Sequence, residues 1–143
     1  TIYAILPKKY HSLKPVGRLD KDSSGLLLLT NDGDFAFRMT HPKFRKIKEY
    51  LVELNAPLAP LHQQMIADFG INLPDGKSQL GLERLDDERK KWKVSMSEGR
   101  NRQIRRTFAA VGYEVCELHR TIFGAYFLPE DLLSGDFFEI DVK

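Results

Sequence analysis

A polar loop near the start of the chain runs directly into an apolar segment. The loop, residues 17–25, reads Gly-Arg-Leu-Asp-Lys-Asp-Ser-Ser-Gly, and the leucines 26–29 follow it before an Asn-Asp-Gly turn. Four consecutive leucines need burial, so we expect Asp20 at the edge of a hydrophobic core. Removing even a neutral polar group from water without a partner costs roughly 2–7 kcal/mol, and a charge costs more. Asp20 therefore needs a cationic partner or a shifted pKa, which makes it a candidate catalytic residue.

The length and composition indicate one soluble globular domain over residues 1–143. The chain is 42% hydrophobic and 29% charged, and it is long enough to bury an ordinary core. Its longest leucine run is far shorter than the roughly 18–20 apolar residues of a membrane span. The single cysteine, Cys116, cannot form an internal disulfide, which favours a reducing, cytoplasmic setting. We expect a monomer with no membrane partner.

The net charge of +2 is too small to indicate a nucleic-acid partner, so the distribution of charge matters more. Two basic clusters occur, one at Arg38, Lys43, Arg45, Lys46 and Lys48 and one at Arg100, Arg102, Arg105 and Arg106. No acid interrupts residues 38–48. Charge alone slightly favours two solvated faces, whereas the motifs described below favour a basic cleft formed when the clusters meet.

The hydrophobic pattern predicts more strands than helices. A helical turn is expected within 2–6, helices at 34–40, 57–69 and 101–111, and strands at 16–19, 25–30, 48–55, 80–85, 91–96, 113–119 and 137–142. Asn101 is expected to cap the third helix. This arrangement predicts an α+β fold with a mixed, largely antiparallel sheet flanked by helices.

Two further motifs combine with the loop at 17–25. One is Lys-Glu-Tyr-Leu-Val at 48–52, and the other is Ser-Glu-Gly-Arg-Asn-Arg-Gln-Ile-Arg-Arg at 97–106. Together, in this order, the three blocks resemble the RsuA/RluB/RluE/RluF family of pseudouridine synthases, which isomerise uridine in ribosomal RNA. The resemblance extends from about Pro15 to the C-terminus. It implies a pseudouridine-synthase-like catalytic domain, ribosomal RNA as partner, and a reaction that needs no redox cofactor and no metal.

The resemblance implies roles for three central residues. Asp20 would be the catalytic carboxylate, acting either as nucleophile or by removing a ribose proton. Tyr50 would stack on the target uracil and assist proton removal from its 5-carbon, and Arg105 would hold Asp20 ionised. Residue spacing supports Arg105, because on a helix of about 3.6 residues per turn it lies at the edge of the core-facing stripe. Isolated from the other motifs, Asp20 would be a turn residue and Tyr50 a core tyrosine.

The resemblance also suggests how RNA is held. The target uridine must be extruded from its stack, and Arg18 resembles the arginine that fills the vacated position; it equally suits a surface pair with Asp22 or Asp32. Either Leu118 or Ile122 would pack below the base. The other basic residues of the motifs are expected to bind phosphates: Lys43, Arg45, Lys46, Lys48, Arg100, Arg102 and Arg106.

Other functions have weaker support in the sequence. The four histidines and the cysteine show no metal-ligand spacing, and there is no phosphate-binding glycine loop. A catalytically silent RNA-binding domain is the main alternative, and a protein-interaction domain a weaker one. The family's first strand, with its Asn-Lys-Pro-x-Gly turn, and a preceding RNA-binding domain have no counterpart before Ile2. We therefore expect a fragment of a longer enzyme.

Overall fold

The structure is a computed structural model that describes residues 1–140. Its strands are β1 Lys14–Pro15, β2 Ser24–Gly25, β3 Leu29–Thr30, β4 Lys48–Leu54, β5 Ile71–Leu73, β6 Gly76–Ser78, β7 Gly81–Arg84, β8 Lys91–Met96, β9 Val115–Phe123 and β10 Tyr126–Phe127. Its helices are α1 Gly33–Thr40, α2 Pro60–Gln64, which continues as a π-helical turn Met65–Phe69, and α3 Gln103–Ala110. Short 3₁₀ turns lie at Ile2–Ala4, Lys8–Tyr10 and Pro42–Phe44. None of the helices within residues 1–140 is long and apolar enough to cross a membrane.

A six-stranded sheet forms the centre of the fold. Its strand order is β10-β9-β4-β8-β7, and β2 pairs with β9 outside that path. The β2–β9 pairing is parallel, and the other pairings of this sheet in the described residues are antiparallel. Two small antiparallel pairs, β1–β3 and β5–β6, lie apart from it. The predicted α+β fold with a mixed, largely antiparallel sheet is confirmed.

The larger hydrophobic core lies between the sheet and α3. Strand β4 buries every second side chain, Tyr50, Val52 and Leu54, against Trp92 of β8 and Phe108 of α3. Trp92 and Phe108 are fully buried, and each large apolar side chain buried in this way stabilises the fold by roughly 1.5–3 kcal/mol. The alternation predicted for residues 48–55 is therefore confirmed, and it fixes which side chains β4 presents to α3.

A second apolar cluster anchors the loop that follows β1. Val16 and Leu28, at the two ends of the loop, pack with Phe35 and Met39 of α1 and Phe123 of β9. The amide of Val16 donates to the carbonyl of Leu28 at 2.8 Å, which closes the loop at its base. The loop at 17–25 is thus held between α1 and the end of β9.

The structure differs from the sequence prediction around this loop. Residues 16–19 form no strand, and the strand predicted at 25–30 is two separate pairs of residues, β2 and β3. Of the four leucines expected to be buried, only Leu28 is, and the other three are half-buried. The predicted strand is interrupted at Leu26, whose carbonyl accepts from the Arg120 side chain and not from a neighbouring strand.

Elsewhere most predicted elements are present, with three differences. Helix α3 begins at Gln103, because Arg102 has a left-handed backbone (φ 52°), and Asn101 provides no side-chain cap. Strand β9 continues to Phe123, four residues beyond the predicted end. Residues 137–140 form no strand, and the end of the strand predicted at 137–142 lies outside the described residues.

Candidate active site

A cavity of about 410 Å³ opens where the three sequence motifs meet. Its walls come from the loop at 17–20, from β4 and β9, and from the segment 99–104 that leads into α3. Five basic side chains line it, Arg18, Lys48, Arg100, Arg102 and Arg120. Among the described lining residues, Asp20 is the only acid. The cavity therefore combines a single carboxylate with a basic wall, in which Arg100 and Arg102 also pair with acids outside the lining.

Sheet register places Tyr50 and Arg120 side by side. Tyr50 of β4 pairs with Arg120 of β9, while the preceding Glu49 pairs with Ile122, so Thr121 is an extra, bulged residue. Cross-strand partners share a face of the sheet, so Tyr50 and Arg120 both face the cavity and the core. Burial raises the pKa of Tyr50, and the neighbouring Arg120 acts in the opposite direction. Burial lowers the pKa of Arg120.

Arg120 also holds the loop against β9. Its Nε and Nη2 donate to the carbonyl of Leu26 at 2.9 and 2.8 Å, and the Leu26 amide donates to the Arg120 carbonyl at 2.8 Å. Gly25 permits this approach, because a Cβ there would lie 2.2 Å from the Arg120 carbonyl oxygen. Arg120 was not among the predicted site residues. Its place two residues after Leu118, on the same face of a strand, was the signal that could have identified it.

Asp20 lies at the rim of the cavity with its side chain 25% exposed. Its Oδ2 is 3.8 Å from Nη1 of Arg102. The turn after it is closed by its backbone carbonyl, which accepts from the Ser23 amide at 2.9 Å. The main chain thus makes the turn, and the carboxylate faces the basic lining of the cavity.

The predicted pairing of Arg105 with Asp20 is wrong. Arg105 donates from Nη2 to the carbonyl of Asp22 at 2.9 Å and from Nη1 to the carbonyl of Val115 at 3.0 Å, and its Nε lies 3.6 Å from the Asp22 carboxylate. It joins α3 to the loop and to β9. In the described part of the chain, it makes no ion pair with Asp20, because Asp22 lies within its reach.

Arg102, and not Arg105, is the arginine of this segment whose side chain lies near Asp20. Its left-handed backbone directs it toward the loop, where its two terminal nitrogens donate to the two carboxylate oxygens of Asp22 at 3.0 and 3.1 Å. The hydrogen bond from Arg102 lowers the pKa of Asp22 to about 2, and the charges of Arg105 and Arg102 act in the same direction. Asp22 thus anchors the loop to α3, which leaves Asp20 facing the cavity.

Like Arg102, two other arginines predicted to bind phosphates are bonded to acids of the protein. Arg106 donates from both terminal nitrogens to Asp75 at 2.9 Å, and Arg100 donates to Asp75 and to the carbonyls of Gly76 and Lys77. The hydrogen bond from Arg106 lowers the pKa of Asp75 to about 2. These bonds hold the β5–β6 hairpin against α3, so the structure gives both arginines a structural role.

The two basic clusters meet at one side of the cavity. Arg45 Nη2 donates to the Ser97 hydroxyl at 3.1 Å, and Lys48 Nζ donates to the Glu98 carbonyl at 3.2 Å. Burial, and then the charge of Arg120, lowers the pKa of Lys48. Of the two clusters, Lys48, Arg100 and Arg102 line the cavity, and a basic cleft that includes the other members stays a prediction.

The structure distinguishes between the two residues predicted to pack below the base. Leu118 is buried and lines the cavity, whereas Ile122 lies outside the lining. In the described part of the chain, no group of three or more histidine, cysteine or acidic side chains is arranged to hold a metal ion.

The fold and the cavity define a member of the RNA pseudouridylate synthase family. The family model matches residues 2–110, and the chain belongs to this family. It is 41% identical over 128 residues to ribosomal small subunit pseudouridine synthase A of Yersinia pestis, covering 89% of this chain and 54% of the relative. It is equally 41% identical, over 127 residues, to ribosomal large subunit pseudouridine synthase B of Bacillus subtilis, covering 85% of this chain and 51% of the relative.

A solved structure described as a pseudouridylate synthase shares the fold. The TM-score is 0.87 at 38% sequence identity, and the match covers 95% of this chain and 60% of the other. This chain therefore spans about half the length of these two curated relatives and somewhat more of the solved one.

Proposed function

We propose that this protein isomerises a uridine of ribosomal RNA to pseudouridine, with Asp20 as its catalytic residue. The observation that carries the proposal is the cavity in which Asp20 is the only described acid among five basic lining residues. A cavity of about 410 Å³ falls within the range of ordinary small-ligand pockets. The positive wall suits the phosphates on either side of one inserted nucleotide. Relatives at the same identity, 41%, are named for the small and for the large ribosomal subunit.

The reaction breaks the bond between ribose C1′ and N1 of the base and forms a bond from C1′ to C5 of the same base. The C5 proton is then lost and N1 gains one, so the product is an isomer of the substrate. Asp20 acts in this scheme either by attacking C1′ or by taking a ribose proton. Both roles require an ionised carboxylate that can reach the ribose. The position of Asp20 supports the proposal, because its side chain lies at the rim of the cavity, 25% exposed, with Oδ2 3.8 Å from Nη1 of Arg102.

Tyr50 and Leu118 would hold the base. Because burial raises the pKa of Tyr50, its ring is neutral at physiological pH and offers an uncharged surface on which uracil stacks. Leu118, on the neighbouring strand, offers an aliphatic contact from the same face of the sheet. Arg120 places a positive charge beside both, where it would stabilise the electron-rich base once the bond to ribose is broken.

Arg18 would assist extrusion of the uridine. It lines the cavity two residues before Asp20, so a guanidinium there can fill the space that the flipped nucleotide leaves or grip its phosphate. Unstacking costs a few kcal/mol, which these contacts must offset.

The proposal is tested by tritium release from ribosomal RNA labelled at C5 of uridine. Wild type is expected to release tritium, whereas Asp20→Asn, which keeps the size and removes the charge, is expected to bind RNA normally and release none. Glu83→Gln is the control: it removes an exposed carboxylate that pairs with Lys93 on the neighbouring strand, outside the cavity lining, and we expect retained release. Near-normal release by Asp20→Asn would contradict the assignment of Asp20. RNA binding by wild type without release would indicate a silent RNA-binding domain.

A further inference from the structure

Helix α1 presents aromatic rings on the side that faces away from the core. Phe35 and Met39 are buried, but Phe37 is 48% exposed, and Phe44 in the following 3₁₀ turn is 37% exposed. The Phe37 ring lies 4.6 Å from that of His41 and 5.9 Å from that of Phe44, measured between ring centres. We refer to Phe37, His41 and Phe44 as the aromatic cluster. Isolated exposed apolar residues need no explanation, whereas contiguous ones mark interaction sites.

The aromatic cluster is held in place by the backbone around it. His41 Nδ1 accepts from the Lys43 amide at 3.2 Å, and the Phe44 amide donates to the His41 carbonyl at 3.1 Å. Arg45 ends the turn with a left-handed backbone (φ 45°) and is bonded to Ser97. A ligand that binds these rings would not have to order them first, and this lowers the entropic cost of binding.

The charges around the cluster select an anionic ligand. Residues 38–48 contain five basic residues and no acid. The ammonium of Lys43 lies 5.0 Å from the centre of the Phe44 ring and 5.8 Å from that of Phe37. Aromatic rings interleaved with basic side chains are the arrangement with which proteins bind unpaired nucleic-acid strands, since bases stack on the rings while cations neutralise phosphates.

The cluster also lies beside the candidate active site. Thr40, which precedes His41 and follows Phe37 by one helical turn, lines the cavity that holds Asp20. Extruding a uridine into that cavity leaves the adjacent bases of the strand without a stacking partner.

We propose that the aromatic cluster stacks an unpaired base that flanks the target uridine, with Lys43 pairing to its phosphate. This inference rests on the proposed function for the identity of the strand, and it adds a binding site outside the catalytic cavity. An ammonium over an exposed ring is held only weakly, so Lys43 can leave the rings for a phosphate when a base stacks there.

The experiment compares two probes of about 12 nucleotides, oligocytidylate and an abasic ribose-phosphate strand of the same length. Neither contains uridine, so isomerisation makes no contribution to binding. Wild type is expected to prefer the strand with bases. Phe37→Leu/Phe44→Leu keeps apolar side chains but removes both rings, and we expect it to bind oligocytidylate about tenfold more weakly. Its binding to the abasic strand and its salt dependence should not change, because no charge is lost.

Two variants serve as controls. Phe69→Leu removes an aromatic ring that is 60% exposed at the end of the π-helical turn, beside Asp68, and should leave both affinities unchanged. Lys43→Gln should weaken binding to both strands and reduce the salt dependence. Circular dichroism establishes that each variant is folded, and Phe44→Leu alone, outside the helix, provides a milder second variant expected to weaken only the strand with bases.

Three results would overturn the proposal: equal wild-type affinity for the two strands, unchanged oligocytidylate affinity in the double variant, or an equal loss on both strands. Wild-type binding to phosphatidylserine vesicles that the double variant loses, with RNA affinity intact, would assign the cluster to a lipid surface. Tritium release by wild type reports on the proposed function independently. If wild type releases tritium and the double variant keeps its affinity for oligocytidylate, only the proposal for the aromatic cluster is refuted. If wild type releases no tritium and the double variant shows the expected loss of affinity, only the proposed isomerase activity is refuted.

Discussion

Gly25→Ala is expected to be strongly destabilising, because this glycine lets β2 approach β9. Its φ is +110°, a backbone conformation that residues with a side chain rarely adopt. A Cβ would lie 2.2 Å from the Arg120 carbonyl oxygen and 2.5 Å from its amide nitrogen. These are backbone atoms in the middle of a strand and cannot yield as a flexible side chain would. The loop must therefore move away from β9.

The cost follows from the contacts that would be lost. A strained backbone residue costs about 1–3 kcal/mol. Separating the strands breaks the bond from the Leu26 amide to the Arg120 carbonyl, worth about 0.5–1.5 kcal/mol. It also removes the Leu26 carbonyl from the buried Arg120 guanidinium, and hydrogen bonds to charged groups are worth about 1.5–3 kcal/mol. The total is about 3–7.5 kcal/mol, against about 5–15 kcal/mol for the stability of a typical protein.

Urea unfolding monitored by circular dichroism measures the loss in the free energy of unfolding. Alanine substitutions at two other glycines separate the backbone strain from the close approach to Arg120. Gly112 also has a positive φ, +93°, but a Cβ there meets nothing within 4 Å, so Gly112→Ala reports backbone strain alone, about 1–3 kcal/mol. Gly33 begins α1 with open space around it, and Gly33→Ala is expected to be neutral or to stabilise by about 0.4–1 kcal/mol. If Gly25→Ala costs no more than Gly112→Ala, the close approach to Arg120 does not stabilise the loop.

The remaining predictions concern charge. Reversing Arg45 and Lys46 to glutamate should weaken binding to all RNA sequences and flatten its salt dependence; a fluorescence titration at several salt concentrations with unchanged slope would contradict the placement of the cleft. The pKa of Asp75 is lowered from 3.8 to about 2 chiefly by Arg106, so its contribution to stability is present above pH 3.8 and lost as the pH falls toward 2. Asp75→Asn should therefore lower the melting temperature at neutral pH, and the difference from wild type should narrow across that interval.

Strand β4 could be predicted from the sequence alone. Tyr50, Val52 and Leu54 alternate with more exposed residues, and only a strand with one buried face explains that period. The structure around the loop at 17–25 could not be predicted in this way. Its leucines resemble a continuous strand, but the partner of the Leu26 carbonyl is a side chain 94 residues away. A local pattern carries no information about a hydrogen bond of that separation.

The arginines of α3 show how a small error in a helix boundary changes a site. The prediction took residue 101 as the start of the helix, and on that helix Arg105, at the edge of the core-facing stripe, was expected to pair with Asp20. Arg102 instead has a left-handed backbone, which is uncommon for a residue other than glycine and which helical periodicity cannot predict. That conformation turns Arg102 toward the loop, where it binds Asp22 through two hydrogen bonds and lies 3.8 Å from Asp20. The loop is therefore anchored to α3 through Asp22, and the adjacent Asp20 does not need a tight ion pair of its own to stay in place. Because a carboxylate locked between two guanidinium groups would be a poor nucleophile or base, this division between the two aspartates is what the proposed chemistry requires.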